Sequence, residues 1–136
     1  VKNFDMPKSF PTKVKYSPSL ITGVIVNIID NSLYWLNYGK IQDKKIFIDI
    51  SDRLPGFVCL LIADNGPGFT LPTEDIVKPF ISNKPDGMGI GLHLAHEIMN
   101  SHGGELLFPS TDLFSIPKEF AFGAIVCLAF RINEDV

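Results

Sequence analysis

The stretch "LLIADNGPGF", residues 60–69, decides how the chain is read. An apolar run stops at an acid, Asp64, and Gly66, Pro67 and Gly68 then form a turn. Upstream, "FVCLLIAD" (57–64) is almost continuously apolar and reads as a buried strand. Before it, "KIFIDIS" (45–51) alternates apolar and polar residues, as a half-buried strand does, and "RLPG" supplies a turn within a loop at 52–56. The two runs pair as an antiparallel hairpin. A hairpin needs no carboxylate at its far end, whereas a site that reads a ligand does.

Working outward, residues 1–9 read as a tail or linker and "FPTKVKY" (10–16) as a short strand. Ser17-Pro18 opens a helix, with Ser at the N-cap and Pro at the first helical position. That helix runs to about Leu36 and is closed by Gly39 near its C-cap. Residues 65–88 are rich in Gly, Pro, Asn and Asp, with a short helix near 73–77. So long an irregular stretch in a compact domain is usually functional or mobile. A second helix spans Gly89 to His102 and stops at Gly103-Gly104. "ELLFPS" and "FGAIVCLAFRI" supply the last two strands. The order β-α-β-β-loop-α-β-β predicts an α+β two-layer sandwich, a mixed sheet with helices on one face. One domain is expected over 10–132, with a short tail at 133–136.

The 136 residues, 46% apolar, suffice for one core. A net charge of −3 leaves no basic footprint for nucleic acid. Lys40, Lys44 and Lys45 read as a solvated loop. Cys59 and Cys127 each lie inside an apolar run and read as buried thiols in a reducing, cytoplasmic compartment. No apolar run approaches ~18 residues, so no membrane contact is expected. The N-terminus lacks a signal-peptide core, and a first residue of Val suggests an excised piece. No internal repeat is visible.

In the first helix Ile21, Val24, Ile25, Ile28, Ile29, Leu33 and Leu36 form a face that packs on the sheet. Gly23, Asn27, Asn31 and Tyr34 form a second stripe. Asn is a poor helix former, so two on one stripe cost stability. The stripe is either a solvated face or a ligand face, and carboxamide oxygens suit a hard cation such as Mg²⁺. "DGMGIGLHLAHEI" places Gly87, Gly89 and Gly91 around a helix start, where free N–H groups and the helix dipole favour phosphate. The spacing is neither the dinucleotide fingerprint nor a P-loop. It fits phosphate binding of another sort or a lid hinge. Lys84 precedes these glycines and is either solvated or a phosphate partner. His93, His96 and His102 lack an acid or Cys to complete a metal set and read as ordinary helix residues.

The ordered set "NIIDNS", "DNGPGF" and "GMGIGL" resembles the Bergerat-fold ATP-binding domain of the GHKL superfamily. That group holds DNA gyrase B, heat-shock chaperones, the MutL proteins and sensor histidine kinases. The run "PFISNKPDGMGIGLHLAHEIMNSHGG" is similar to the phenylalanine box, ATP lid and second glycine box of histidine kinases. "FGAIVCLAF" resembles their last strand, with Gly123 opening a small-residue box. The resemblance implies that Asp64 accepts a hydrogen bond from the adenine amino group, with Gly66 and Gly68 keeping the pocket wall thin. A carboxylate accepts and cannot donate, which favours an exocyclic amine over the carbonyl of guanine. Asn31 matches the Mg²⁺-binding asparagine. Phe80, Gly87, Gly89, Ile90, Gly91 and Leu92 match the lid and the backbone around the phosphates.

Two positions depart from the pattern. Hydrolysing branches carry a Glu where Asn27 stands; an amide takes no proton, which disfavours ATP hydrolysis and suits a kinase. Tyr34 stands where many kinases have a phosphate-reaching Lys, a role that Lys84 could take over. The resemblance therefore implies a histidine kinase catalytic domain binding ATP and Mg²⁺. Its partners would be a phospho-accepting helical dimerisation domain N-terminal to this chain and a response regulator downstream. A nucleotide-gated conformational module, an anti-sigma-type serine kinase and a degenerate scaffold share the fold and compete with that reading.

Overall fold

The computed structural model describes residues 16–69, 72–78 and 91–132. In chain order the elements are α1 (Pro18–Tyr38), β1 (Ile46–Ser51), β2 (Phe57–Asp64), α2 (Thr73–Ile76), α3 (Gly91–Ser101), β3 (Glu105–Leu107), a 3₁₀ turn at Lys118–Phe120, and β4 (Ile125–Arg131). The expected strand at 10–16 and the expected helix start at 89–90 fall outside the described residues.

α1 begins where Pro18 can occupy the first turn without losing a helical hydrogen bond. Ser17 is the N-cap residue, yet its side chain makes no capping bond. The hydroxyl lies 3.4 Å from that of Ser19 instead. The start is held from across the fold: Ser17 N–H donates to His102 Nε2 at 3.0 Å. His102 Nδ1 lies 2.7 Å from the Ile98 carbonyl. A ring that accepts at Nε2 must donate at Nδ1, so the neutral imidazole ties the end of α3 to the start of α1. His102 is thus more than an ordinary helix residue. α1 runs slightly past its expected end, to Tyr38, before Gly39. Gly39 is the C-cap residue, as expected, with φ −72° in the right-handed region. Its small size is used too, since a Cβ there would lie 3.1 Å from Pro67 Cδ.

Among the described residues every strand pairing is antiparallel, in the order β1-β2-β4-β3. The mixed sheet expected from the element order included the strand at 10–16, which lies outside the described residues. β2 and β3 do run in the same direction, as a β-α-β passage implies. β4 inserts between them and pairs with both, so no parallel neighbours remain among the described residues. The last two strands are also shorter than their apolar runs, because β3 ends at Leu107 and β4 begins at Ile125.

α1 and α3 cover one face. Ile21, Val24 and Ile28 of α1 and Ala95 and Met99 of α3 pack on Leu60, Ile62, Leu106, Val126, Leu128 and Phe130. α1 is long and apolar enough to cross a membrane by length and composition, a point its individual apolar runs hide. In this fold its apolar face is core. The opposite face is covered too, by the 108–124 segment, which lays Phe114, Ile116 and Phe120 over Cys59, Leu61, Ala63, Ile125, Cys127 and Ala129. Burial on both faces is why β2 and β4 read as unbroken apolar runs rather than alternating ones.

Candidate nucleotide site

The site is built around the end of β2. Asp64 closes the strand, and its N–H donates to the Ala124 carbonyl at 3.0 Å. Its carboxylate Oδ1 accepts from two backbone donors, Gly66 N–H at 3.0 Å and Ala124 N–H at 3.3 Å. These bonds fix the side chain as a short Asx-type turn would. The residue is 1% exposed. Its second oxygen, Oδ2, is buried and has no partner. Leaving a buried acceptor unmet costs about 1–3 kcal/mol, more for a charged group, so such an atom calls for a donor brought from outside.

Glycines let the chain close around this carboxylate. A Cβ on Gly66 would lie 3.0 Å from Asp64 Oδ1 and 3.6 Å from Leu36 Cδ2. Gly68 has φ +82°, and a Cβ there would approach the Phe122 carbonyl oxygen to 2.5 Å. At Gly123 a Cβ would overlap the carbonyl of Asp64 itself. The 64–68 turn and the 122–124 segment are therefore in backbone contact, and two of these glycines are required by sterics. Gly123, read from sequence only as the start of a small-residue box, is one of them.

Asn65 has a role its sequence position did not signal. Its Oδ1 accepts from Lys45 N–H at 2.8 Å, and its Nδ2 donates to the Asp43 carbonyl at 2.7 Å. It thereby clamps the chain entering β1 to the turn. Lys45 carries this clamp to the surface, with its ammonium 2.9 Å from Glu119 and 3.4 Å from Asp43. Both carboxylates, Glu119 foremost, raise its pKa.

α1 borders the turn through Leu36, whose backbone N would lie 3.7 Å from a Cβ on Gly66, and through the Gly39–Pro67 contact. Along its length Asn27 is exposed, while Asn31 and Tyr34 are half-buried. Gly91 and Leu92 open α3, and Gly91 has no atom within 4 Å of a would-be Cβ. Packing therefore does not demand this glycine, in contrast to Gly123. Phe80, Lys84, Gly87, Gly89 and Ile90 lie outside the described residues. No group of three or more His, Cys, Asp and Glu side chains capable of holding a metal occurs among the described residues. His93 Nδ1 sits 3.0 Å from the Val77 carbonyl, and His96 Nε2 3.4 Å from Asn100 Nδ2. Cys59 and Cys127 are free and buried. Hydrogen bonding to the Cys59 thiol, then burial, pushes the Cys127 thiol well above its usual range.

The fold is an α+β module with a buried carboxylate whose free oxygen suits a ligand donor. A family model described as "Histidine kinase-, DNA gyrase B-, and HSP90-like ATPase" matches residues 17–132. The chain belongs to that family, as an ATP-binding catalytic domain of the histidine kinase type. It is 42% identical over 93 residues to "Sensor protein TdiS" of Thauera aromatica, covering 67% of this chain and 17% of that protein. Against the "C4-dicarboxylate transport sensor protein DctB" of Rhizobium meliloti it is 33% identical over 84 residues, 61% of this chain and 13% of that protein. The chain thus spans a small part of each relative's length. In three dimensions it is similar to the "Mycobacterial sensor histidine kinase MprB", with TM-score 0.69 over 90% of this chain and 79% of that one. At 21% identity this last likeness speaks to the fold.

Proposed function

We propose that this chain binds Mg·ATP and passes the γ-phosphoryl group to a histidine on a separate helical dimerisation domain, in the cytoplasm. A response regulator would then receive the group. The observation that carries the nucleotide part is the buried, unpartnered Oδ2 of Asp64. An exocyclic amine supplies the donor it lacks, and guanine would meet it with a carbonyl oxygen instead. Asn31, one helical turn beyond Asn27 on α1, offers a hard amide oxygen to Mg²⁺, which would otherwise be held by water and phosphates. Gly91 and Leu92 open a helix whose first N–H groups suit phosphate oxygens. Together with Gly87, Gly89 and Ile90 they would line the triphosphate, Phe80 would belong to the lid, and Lys84 would neutralise charge. Tyr34 would border the same pocket. Bound magnesium would supply charge neutralisation at the phosphates.

Asn27 favours transfer over hydrolysis, since an amide cannot take a proton from water. The test is phosphotransfer in trans. The chain is mixed with γ-labelled ATP, Mg²⁺ and a histidine-bearing helical dimerisation domain of a sensor kinase. Acid-labile, alkali-stable label on that histidine is expected. Intact ATP binding without any transfer would refute the kinase part of the proposal.

A further inference from the structure

Three aromatic rings form one block at the end of α1. Tyr34 and Tyr38 are stacked, with centroids 6.1 Å apart and planes 10° from parallel. Trp35 lies nearly perpendicular to both, with ring centroids 5.0 Å from Tyr34 and 5.2 Å from Tyr38 and interplanar angles of 89° and 85°. The indole therefore braces the parallel pair from the side. Such offset and edge-on arrangements are the preferred ones for aromatic quadrupoles. Tyr38 falls four residues after Tyr34 and seven after Asn31, so it extends the stripe Asn27, Asn31, Tyr34 by another turn.

Tyr38 is 64% exposed, so burial does not explain an aromatic residue there. Its ring contacts are Tyr34, on which it stacks, and Trp35, which meets it edge to face. A lysine at position 34 would find its own way to a phosphate on a long flexible stem, whereas a tyrosine has two side-chain torsions and needs its ring aimed. We infer that Tyr38 is a positioning residue for nucleotide binding, holding the Tyr34 ring in a fixed direction along the Asn27–Asn31 stripe. This rests on the reading that Tyr34 borders the nucleotide.

The sole tryptophan, Trp35, touches both rings and so reports on them. The experiment is a fluorescence titration of the 136-residue chain with Mg·ATP. It compares wild type, Tyr38→Ala, Tyr38→Phe, Tyr34→Ala, the Tyr34→Ala/Tyr38→Ala double variant, and Asp64→Asn. Loss of one aromatic pair predicts that Tyr38→Ala weakens binding about two- to tenfold. Tyr38→Phe keeps the ring and binds as wild type. In the Tyr34→Ala background, Tyr38→Ala brings no further loss, because its effect passes through Tyr34. Equal losses in both backgrounds would overturn the inference, since Tyr38 would then act by itself. Wild-type binding by Tyr38→Ala alongside weak binding by Asp64→Asn would also overturn it, leaving the nucleotide site intact. If Asp64→Asn also binds normally, the nucleotide-site reading itself fails, and the inference with it.

Discussion

Replacing Asp64 by Asn changes one atom at the heart of the site. Oδ1 holds two backbone N–H donors, at 3.0 and 3.3 Å. The amide oxygen of the new side chain must keep that place, because a flipped amide would set its own N–H₂ against both donors. The amide nitrogen then occupies the position of Oδ2, the buried acceptor without a partner. A donor now faces the donor that the adenine amine presents. A hydrogen bond to a carboxylate is worth about 1.5–3 kcal/mol, so ATP affinity should fall about ten- to hundredfold. Without nucleotide the protein should keep its stability within about 1 kcal/mol, since both backbone bonds remain and one unmet buried polar atom replaces another. Titration calorimetry and thermal melting of the same preparation separate the two effects. Unchanged ATP affinity would refute the assignment of Oδ2 to the adenine amine. A collapsed melting temperature would refute the claim that Oδ1 alone serves the fold.

Gly123→Ala should destabilise the domain by about 2–4 kcal/mol in denaturant titration, because its Cβ would overlap the Asp64 carbonyl and force the backbone apart. Gly91→Ala, at a position with open space, should leave stability within about 1 kcal/mol, so any change in ATP binding there would come from the ligand side. His102→Ala removes the acceptor for Ser17 N–H and should cost about 1–2 kcal/mol by the same measurement, with nucleotide affinity unchanged. Asn31→Ala should abolish the strengthening of ATP binding by Mg²⁺, read as equal affinities with magnesium and with EDTA. Neither Cys59 nor Cys127 should react with a thiol reagent until the protein is unfolded, since both are fully buried and Cys127 is pushed away from its thiolate form.

The elements legible in the sequence are those whose signal is local. The α1 face, Ile21, Val24, Ile28 and Leu36, carries its period in its own residues, and the β1–β2 hairpin is announced by alternation followed by "RLPG". Asp64 stood out as a carboxylate closing an apolar strand; its Oδ1 serves the turn locally through Gly66 N–H, and only Oδ2 lacks a use within the fold. What stayed hidden depends on distant partners. Phe114, Ile116 and Phe120 follow no period, so the segment that covers the second face of the sheet reads as loop until β2 and β4 are paired beneath it. The place of β4 between β2 and β3 is likewise a non-local fact, fixed by pairings on both of its edges. Gly39 sits at the expected C-cap, but its contact with Pro67, a distant partner, was not legible. Nothing in the sequence marked Asn65, and only the approach of Asp43 and Lys45 gives its amide both partners.

The most direct measurement of the central claim is a calorimetric titration of the domain with ATP, ADP and GTP, each with and without Mg²⁺. Adenine-selective binding is predicted, with Kd on the order of 10–100 μM for Mg·ATP, about −5.5 to −7 kcal/mol. GTP should bind far more weakly, because guanine offers a carbonyl oxygen to Asp64. Equal affinity for ATP and GTP, or no binding at millimolar nucleotide, would contradict a pocket read by the Asp64 carboxylate.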